Sequence, residues 1–397
     1  MVELDVEKLE SLNVGVFGHI DHGKTTLVHK LTGKFTDTHS EELKRGITIK
    51  LGYADCIIYD DSGLNIKKGK PIRYVSFVDA PGHEMLMATM LSGAAIIDVA
   101  ILVIAANEGI KPQTKEHFQA LRAKNLKNFI IIQNKIDLVS KEKALENYKE
   151  IKSLVKGTNA ENCPIIPISA QQDINIDKIF EELVKIPVPE RDSKSEPIFV
   201  VARSFDINKP GTKIRDLKGG VLGGALKKGK LKIGDLIEIK PGIYIKKENQ
   251  LIYKTIKTKI LGIFRGKYQI KEATPGGSLA LETELDPVLT KSDNLGGCVA
   301  GLGNSLPEIT NNLKVKFSLF KEVLGLEGHQ ETENIKMSEA LLLSMNTSIS
   351  VGQVTKIKEN EAELFLKIPI VPFKGDNIGI ARNISGHWRL IGWGEIL

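Results

Sequence analysis

The chain has 397 residues, of which 42% are hydrophobic and 26% are charged, and its formal net charge at pH 7 is +6. This composition excludes disordered, collagen-like and fibrous proteins, and a domain size of about 100–200 residues predicts two to four domains. The most apolar run, 94–106, contains Asp98 and is shorter than the ~20 residues of a membrane-spanning helix, so no membrane contact is expected. Three cysteines and an N-terminus unlike a signal peptide predict a cytoplasmic protein.

The positive charge is concentrated in the middle of the chain. Residues 1–190 sum to −2, residues 191–306 to +9 and residues 307–397 to −1. A local basic excess of this size favours a polyanionic partner such as a nucleic acid, although a lysine-rich solubilising surface would have the same signature.

Residues 1–190 alternate short apolar strands with helices. Helices are predicted at Gln113–Ala123 and Lys141–Val155. Strands are predicted at Asn13–Phe17, Tyr74–Asp79, Val99–Ile104, Phe129–Asn134 and Ile165–Ile168. This alternation predicts an α/β domain with a mostly parallel sheet and helices on both faces.

The pattern changes after a polar, proline-flanked linker at 186–197. Glycine and proline turns then separate short β-branched segments, which predicts antiparallel strands in a barrel or a sandwich. A second β block begins near Leu313. We therefore predict three domains, at residues 1–190, 195–306 and 307–397.

The segment Gly18–Thr26 reads GHIDHGKTT and fits the phosphate-loop pattern G-x-x-x-x-G-K-[ST] between a predicted strand and a predicted helix. Loop amides and the helix N-terminus can surround phosphate oxygens. Lys24 would reach the β- and γ-phosphates, and the Thr25 hydroxyl would ligate Mg²⁺. The remaining residues predicted to line the nucleotide here are Asp21, His22, Gly23 and Thr26. A chance glycine turn is the alternative, which the strand–loop–helix context disfavours.

Asp79 ends a predicted strand and is followed by Ala-Pro-Gly82-His83. The Asp79 carboxylate suits an Mg²⁺ ion that it would contact through a water molecule. The Gly82 amide can approach a γ-phosphate because glycine has no side chain to block it. His83 is the candidate catalytic residue because it can orient the attacking water, although a surface histidine at a helix start is the alternative. Thr48, in Arg45–Lys50, can complete the Mg²⁺ shell when the γ-phosphate is bound. The alternative is that Thr48 is an ordinary threonine of the strand that follows.

Two further motifs follow strand ends and predict recognition of guanine. The first contains Asn134, Lys135 and Asp137, whose carboxylate can accept two N–H bonds from guanine. The second contains Ser169, Ala170 and Gln171, where a backbone amide can meet the guanine carbonyl. Open α/β sheets bind ligands at such strand ends. The order of the four motifs predicts a GTP-binding domain that hydrolyses GTP to GDP and phosphate.

These motifs resemble those of the translational GTPases, as the strings GHIDHGKTT, RGITI, DAPGH, NKID and SA show. The chain is most similar to the gamma subunits of archaeal and eukaryotic translation initiation factor 2. Less generic strings that support this resemblance lie at Thr36–Thr48, Arg203–Thr212, Leu285–Lys291 and Arg389–Gly394.

The resemblance implies an α/β P-loop GTPase domain followed by two antiparallel β-barrel domains. It implies GTP-dependent delivery of methionylated initiator tRNA to the small ribosomal subunit, with GTP hydrolysis as the release switch. It also implies a heterotrimer with alpha and beta subunits. Mg²⁺ is the implied cofactor, and a second Mg²⁺ would involve Asp21 and the backbone near Gly46.

The chain departs from the family pattern where relatives often carry a zinc knuckle. Residues 57–73 contain no cysteine and Cys56 stands alone, whereas a zinc site needs about four ligands. We therefore expect no zinc. A smaller departure is Gln171-Gln172, where relatives usually have Leu-His.

Three other functions remain open from the sequence. An elongation factor or a selenocysteine-specific factor would share the motifs. The selenocysteine-specific factor is disfavoured, because it has a C-terminal extension and this chain ends soon after the third predicted domain. A GTP-dependent binding scaffold with negligible hydrolysis would need the same nucleotide site. A GTPase subunit of a sulfate adenylyltransferase is disfavoured by the initiation-type strings and the basic middle domain.

Overall fold

The computed structural model describes residues 5–34, 51–81, 96–123, 126–247, 250–323 and 330–397. Within these ranges the chain forms an α/β block followed by two blocks of antiparallel strands. None of the helices described there has both the length and the apolar character needed to cross a membrane.

The α/β block is built around one seven-stranded sheet. Its strands are β1 (Ser11–Gly18), β2 (Gly52–Asp60), β3 (Leu64–Asn65), β4 (Lys70–Asp79), β5 (Val99–Ala105), β6 (Asn128–Asn134) and β7 (Ile165–Pro167). Its α-helices are α1 (Lys24–Thr32), α2 (Pro112–Ala123), α3 (Lys141–Val155) and α4 (Ile176–Lys185). The strand order is β3-β2-β4-β1-β5-β6-β7, with β4, β1, β5, β6 and β7 mutually parallel.

Helices cover both faces of this sheet, which explains why its central strands are apolar throughout. Every residue of β1 and β5 is buried. Phe118 of α2 and Ile151 of α3 pack on one face, whereas Leu27 of α1 and Leu183 of α4 pack on the other. The parallel strands bring the carboxyl ends of β1, β4, β5, β6 and β7 to one edge of the sheet.

The second block is a closed six-stranded barrel with short additional strands. Its strands are β8 (Ile198–Phe205), β9 (Val221–Lys228), β10 (Leu231–Lys232), β11 (Leu236–Lys247), β12 (Gln250–Arg265), β13 (Tyr268–Ile270), β14 (Glu272–Ala273), β15 (Leu279–Thr283) and β16 (Val299–Leu302). The ring runs β11-β16-β8-β9-β15-β12 and closes where β12 pairs with β11. A short helix, α5 (Pro287–Thr290), precedes β16.

The third block is also a closed six-stranded barrel. Its strands are β17 (Thr310–Leu319), β18 (Ala340–Met345), β19 (Ser348–Lys358), β20 (Glu361–Ile370), β21 (Asn377–Ile384) and β22 (His387–Ile396). The ring order is β17-β20-β19-β18-β21-β22, and β22 pairs with β17 to close it.

The predicted fold class is confirmed, and both β blocks are barrels rather than sandwiches. The sequence reading missed β2, which pairs antiparallel to β4 near the edge of the sheet. Its sequence contains a half-buried Asp55 and an exposed Asp60, so it lacks the continuous apolar pattern of a central strand. The predicted linker is anchored, because Arg191 donates to both carboxylate oxygens of Asp98 at 2.9 and 2.6 Å.

Candidate nucleotide site

The loop between β1 and α1 is held in a tight curl by unusual backbone conformations. Gly18, Asp21 and Gly23 have φ angles of 140°, 60° and 90°. A Cβ on Gly18 would overlap the carbonyl oxygen of Val103 in β5, so only glycine fits where the loop leaves β1. Such a curl can turn successive amides towards one anion.

The first residues of α1 lie at the carboxyl edge of the sheet. Lys24 is buried, and its ammonium donates to the carbonyl of His19 at 2.8 Å across the loop. The Thr25 hydroxyl donates to Asp79 Oδ2 at 2.8 Å. Asp79 is fully buried at the end of β4, where it is in register with Val16 of β1. Thr26 follows in the first turn of α1 and is half-buried.

The pair formed by Thr25 and Asp79 fits a magnesium site. It joins a hydroxyl and a carboxylate, and oxygen donors of these kinds are the ligands that Mg²⁺ takes in proteins. In P-loop NTPases the same two residue types hold the ion beside the β- and γ-phosphates. Asp79 is thus a suitable direct or water-mediated partner for an ion held by Thr25.

Asn134 joins three of the predicted motifs. Its amide nitrogen donates to the carbonyl of His22 in the phosphate loop at 2.9 Å, and its carbonyl oxygen accepts from the amide of Ala170 at 3.0 Å. The side chain is buried at the end of β6 and lies against Gly23. Asn134 therefore fixes the Ser169–Gln171 turn relative to the phosphate loop.

Lys135 and Asp137 occupy the connection after β6. Lys135 has a left-handed φ of 62°, and its ammonium pairs with the Glu108 carboxylate at 3.3 Å. Asp137 lies on a short 3-10 helix, Ile136–Leu138, and is exposed. An exposed carboxylate at this edge of the sheet is accessible to the base of a bound nucleotide.

The turn after β7 is stabilised from within. The amide of Ser169 donates to the carbonyl of Ile174 at 3.3 Å, and its hydroxyl accepts from the amide of Gln172 at 3.2 Å. Gln171 is exposed. These hydrogen bonds and the bond from Ala170 to Asn134 position the backbone of the turn, and none of them involves the side chain of Gln171.

His22 is a buried, neutral part of the loop. Its Nδ1 donates to the carbonyl of Val103 at 3.2 Å, and burial lowers its pKa to about 4. Its Nε2 lies 3.8 Å from Glu108 Oε2. Burial alone would raise the pKa of Glu108, but the hydrogen bond from Lys135 and the neighbouring positive charges hold it below its usual value. Glu108, which follows β5, was not among the predicted site residues.

His117 of α2 also contacts the loop, which the sequence did not reveal. Its Nδ1 accepts from the amide of Gly18 at 3.2 Å, and its ring meets Phe17 edge-on. Burial lowers the pKa of His117 to about 3, so the ring is neutral and can accept. The contact spans 99 positions in sequence, and no local pattern marks it.

Four predicted site residues lie outside the described ranges: Gly46, Thr48, Gly82 and His83. The structure therefore bears only on their neighbours. Leu51, Ala80 and Pro81 are all buried, and Ala80 donates to the carbonyl of Val16 in β1. The roles assigned to the four residues stay predictions.

The hairpin between β2 and β4 is closed by hydrogen bonds and an ion pair. Asn65 Oδ1 accepts from the amides of Lys67 and Lys68 at 2.8 and 3.0 Å. Lys68 pairs with Asp61 at 3.1 Å. In the part of the chain that the structure describes, no three His, Cys, Asp or Glu side chains are grouped as metal ligands.

Two groups of basic residues in the first barrel differ in their partners. Lys227 bonds to Asn346 and Asp376 of the second barrel at 2.8 and 3.3 Å, and Lys230 pairs with Glu272 at 2.9 Å. The other group consists of exposed residues on the loop between β8 and β9, which are Lys213, Arg215 and Lys218. This second group, here named the basic loop, presents its charge to solvent.

Comparison with known protein families matches two parts of the chain. The model of the elongation factor Tu GTP-binding domain matches residues 9–188, and the C-terminal model of initiation factor eIF2 gamma matches residues 311–396. The first match contains the whole described nucleotide site. The second covers nearly all of the second barrel.

Curated relatives match almost end to end. The translation initiation factor 2 subunit gamma of Methanococcus maripaludis strain C7 is 50% identical, over 97% of this chain and 98% of its own. The protein of the same name from Archaeoglobus fulgidus is 49% identical over 98% and 95%, and that from Methanocaldococcus jannaschii is 48% identical over 98% of each chain.

Solved structures share the fold at lower identity. A bacterial selenocysteine-specific elongation factor superposes with a TM-score of 0.77 at 24% identity, covering 98% of this chain and 58% of that one. The elongation factor SelB of Methanococcus maripaludis, in complex with the GTP analogue GppNHp, gives 0.72 at 23% identity over 98% and 79%. Both matches support the order of one α/β domain and two barrels.

Proposed function

Because the chain belongs to the gamma-subunit family of translation initiation factor 2, whose members are translational GTPases, we propose that it carries initiator tRNA under the control of GTP. In the GTP state it binds methionylated initiator tRNA and brings it to the small ribosomal subunit. Hydrolysis of GTP then releases the tRNA. The chain acts in the cytoplasm, together with the alpha and beta subunits of a heterotrimer.

The observation that carries the nucleotide part of the proposal is the position of Asn134. Its side chain bonds to the phosphate loop at His22 and to the turn at Ala170. The distance between a guanine base bound by Asp137 and the Ala170 turn and the phosphates bound by Lys24 is therefore fixed by the protein. Guanine selectivity follows from the Asp137 carboxylate, which matches the paired N–H groups of guanine.

Mg²⁺ would be held by Thr25 and, directly or through water, by Asp79, and Thr48 would join them in the GTP state. When bound, the ion neutralises charge on the β- and γ-phosphates. A second Mg²⁺ at Asp21 and the backbone of Gly46 belongs to the same proposal. Lys24, whose side chain is buried, adds a fixed positive charge beside the phosphates.

His83 is the residue proposed to act on the attacking water, with Gly82 donating its amide to the γ-phosphate. Phosphoryl transfer needs little covalent help, so positioning the water in line is the main contribution available to a side chain. In the sequence the two residues directly follow Asp79, Ala80 and Pro81, which are all buried.

The test is a filter-binding comparison of tRNAs. The reconstituted heterotrimer is incubated with initiator and elongator methionine tRNAs, each charged and uncharged, in the presence of a GTP analogue or GDP. We expect methionylated initiator tRNA with the GTP analogue to bind at least about tenfold more tightly than every other combination. Equal affinity for the charged elongator tRNA, or equal affinity with GDP, would contradict the proposal.

Asp137→Asn provides the matched control for the nucleotide. An amide at this position loses the paired acceptance from guanine and suits xanthine instead, so GTP affinity is expected to fall at least about 100-fold. The variant's tRNA binding should then require an XTP analogue. If the variant discriminates between GTP and XTP as the unmodified chain does, Asp137 does not contact the base.

A further inference from the structure

Helix α2 contacts the nucleotide loop and the second barrel through two consecutive residues. His117 accepts from the amide of Gly18 at the end of β1. Glu116 accepts from the amide of Leu390 in β22, at 3.3 Å. Glu116 is fully buried and His117 is 1% exposed. The helix therefore lies between the start of the phosphate loop and a domain with no part in the motifs.

The contact of His117 fixes one peptide group of the loop. Gly18 lies where the chain leaves β1 with a φ of 140°, and a Cβ at this position would overlap the carbonyl oxygen of Val103. An amide buried at this point needs an acceptor, since leaving it unsatisfied is costly. The neutral ring of His117 supplies it. The direction in which the following amides turn depends on this peptide plane.

The contact of Glu116 fixes the helix from the other side. Its second carboxylate oxygen lies 3.8 Å from the guanidinium of Arg389, which is itself buried in β22. Leu390 is fully buried and joins a hydrophobic cluster with Phe17, Phe118 and Leu121. The side of α2 that holds Glu116 is thus anchored by both charge and apolar contacts.

We propose that α2 couples the phosphate loop to the second barrel, with His117 as a positioning residue for Gly18 and with Glu116 and Arg389 as the anchor of the helix. The barrel thereby stabilises the nucleotide-binding conformation of the loop. Linkage makes the coupling reciprocal, so nucleotide binding must tighten the contact between Glu116 and Leu390. The inference rests on nucleotide binding and is independent of tRNA delivery.

The first test uses the unmodified full-length chain. Hydrogen exchange at the Leu390 amide is measured without nucleotide and with GDP at a concentration that saturates the site. We expect GDP to slow this exchange at least about fivefold. A peptide from β20, on the same barrel, is the internal control and should not change. Unchanged exchange at Leu390 under saturating GDP would overturn the proposal.

The second test compares two arginine variants of the second barrel. Arg389→Met removes the partner of Glu116, whereas Arg382→Met removes a partner of Glu339 within the same barrel. The affinity for a fluorescent GDP derivative should fall about fivefold in the first variant and stay unchanged in the second. Equal affinities in both variants would contradict the coupling.

The third test separates the hydrogen bond of His117 from its volume. His117→Leu removes the acceptor and should weaken GDP binding about tenfold. His117→Asn offers an amide oxygen in place of Nδ1 and should restore most of the affinity. If the two variants bind GDP equally, His117 only fills space and does not position the loop.

Discussion

At the scale of single residues, the site depends on side chains that bind other parts of the protein rather than the nucleotide. Asn134, read from the sequence as part of the guanine motif, bonds to His22 and Ala170. His117 bonds to the loop and Glu108 lies 3.8 Å from His22, although neither belongs to a motif. Motif residues were predictable because phosphate binding imposes a fixed local spacing, whereas supporting residues come from distant segments that only the fold brings together.

His83 is the first residue whose role can be tested directly. His83→Ala should leave GTP affinity near that of the unmodified chain and lower ribosome-stimulated hydrolysis by about 100-fold or more, because the attacking water loses its positioning group. The measurement is single-turnover hydrolysis with small ribosomal subunits and the activating factor present. Hydrolysis at the unmodified rate would remove His83 from the catalytic step. Negligible hydrolysis by the unmodified chain would favour a binding scaffold.

The buried ring of His117 predicts a pH dependence of stability. Its pKa is about 3 in the folded chain and near 6.5 in the unfolded chain. Below pH 6.5 only the unfolded state takes up the proton, so stability is lost as the pH falls, by about 2 kcal/mol at pH 5. From pH 7 to 5, the thermal midpoint should fall about 5 °C more in the unmodified chain than in His117→Asn. Equal falls would show that His117 does not stay neutral.

At the scale of elements, central strands and long helices were predictable and edge strands were not. Helix α3 has its predicted bounds, because Ser140 caps its first turn and its buried positions recur with helical spacing. β2, which lies next to the edge strand β3, was missed because Asp55 and Asp60 interrupt its apolar pattern. Barrel closure depends on the pairing of β8 with β16 and of β17 with β22, which are far apart in the sequence and which no short segment specifies.

The absence of cysteine from residues 57–73, which include the hairpin after β2, predicts a zinc-free protein. Asn65 closes the turn of this hairpin, and the ion pair between Lys68 and Asp61 braces it. Elemental analysis of the purified chain should find much less than one zinc per chain, and a chelator should leave the thermal midpoint unchanged. One tightly bound zinc per chain would contradict the prediction and would require ligands other than Cys56.

At the scale of the whole molecule, the positive charge is concentrated in the first barrel, and part of it is paired within the protein. The basic excess of residues 191–306 is partly neutralised by ion pairs within the protein, since Lys227 pairs with Asp376 and Lys230 pairs with Glu272. The sequence revealed the excess but not this division, because pairing depends on tertiary contacts. The three cations of the basic loop, by contrast, are all exposed.

The basic loop is predicted to contact tRNA phosphates. Replacing Lys213, Arg215 and Lys218 by Gln should weaken all tRNAs alike and flatten the salt dependence of binding, because fewer counterions are released. The preference for the methionyl group should survive. A matched control replaces Lys141, Lys143 and Lys149, which are exposed on α3, by Gln. If both triple variants keep the unmodified salt slope, the loop serves another surface function.

The most direct test of nucleotide-controlled delivery is the retention of labelled methionylated initiator tRNA on small ribosomal subunits. The reconstituted heterotrimer supplies the tRNA, and binding is measured with a non-hydrolysable GTP analogue and with GDP. A GTP-controlled carrier predicts at least about tenfold stronger retention of the tRNA–heterotrimer complex with the analogue. Equal retention in the two nucleotide states, with both nucleotides bound, would contradict it.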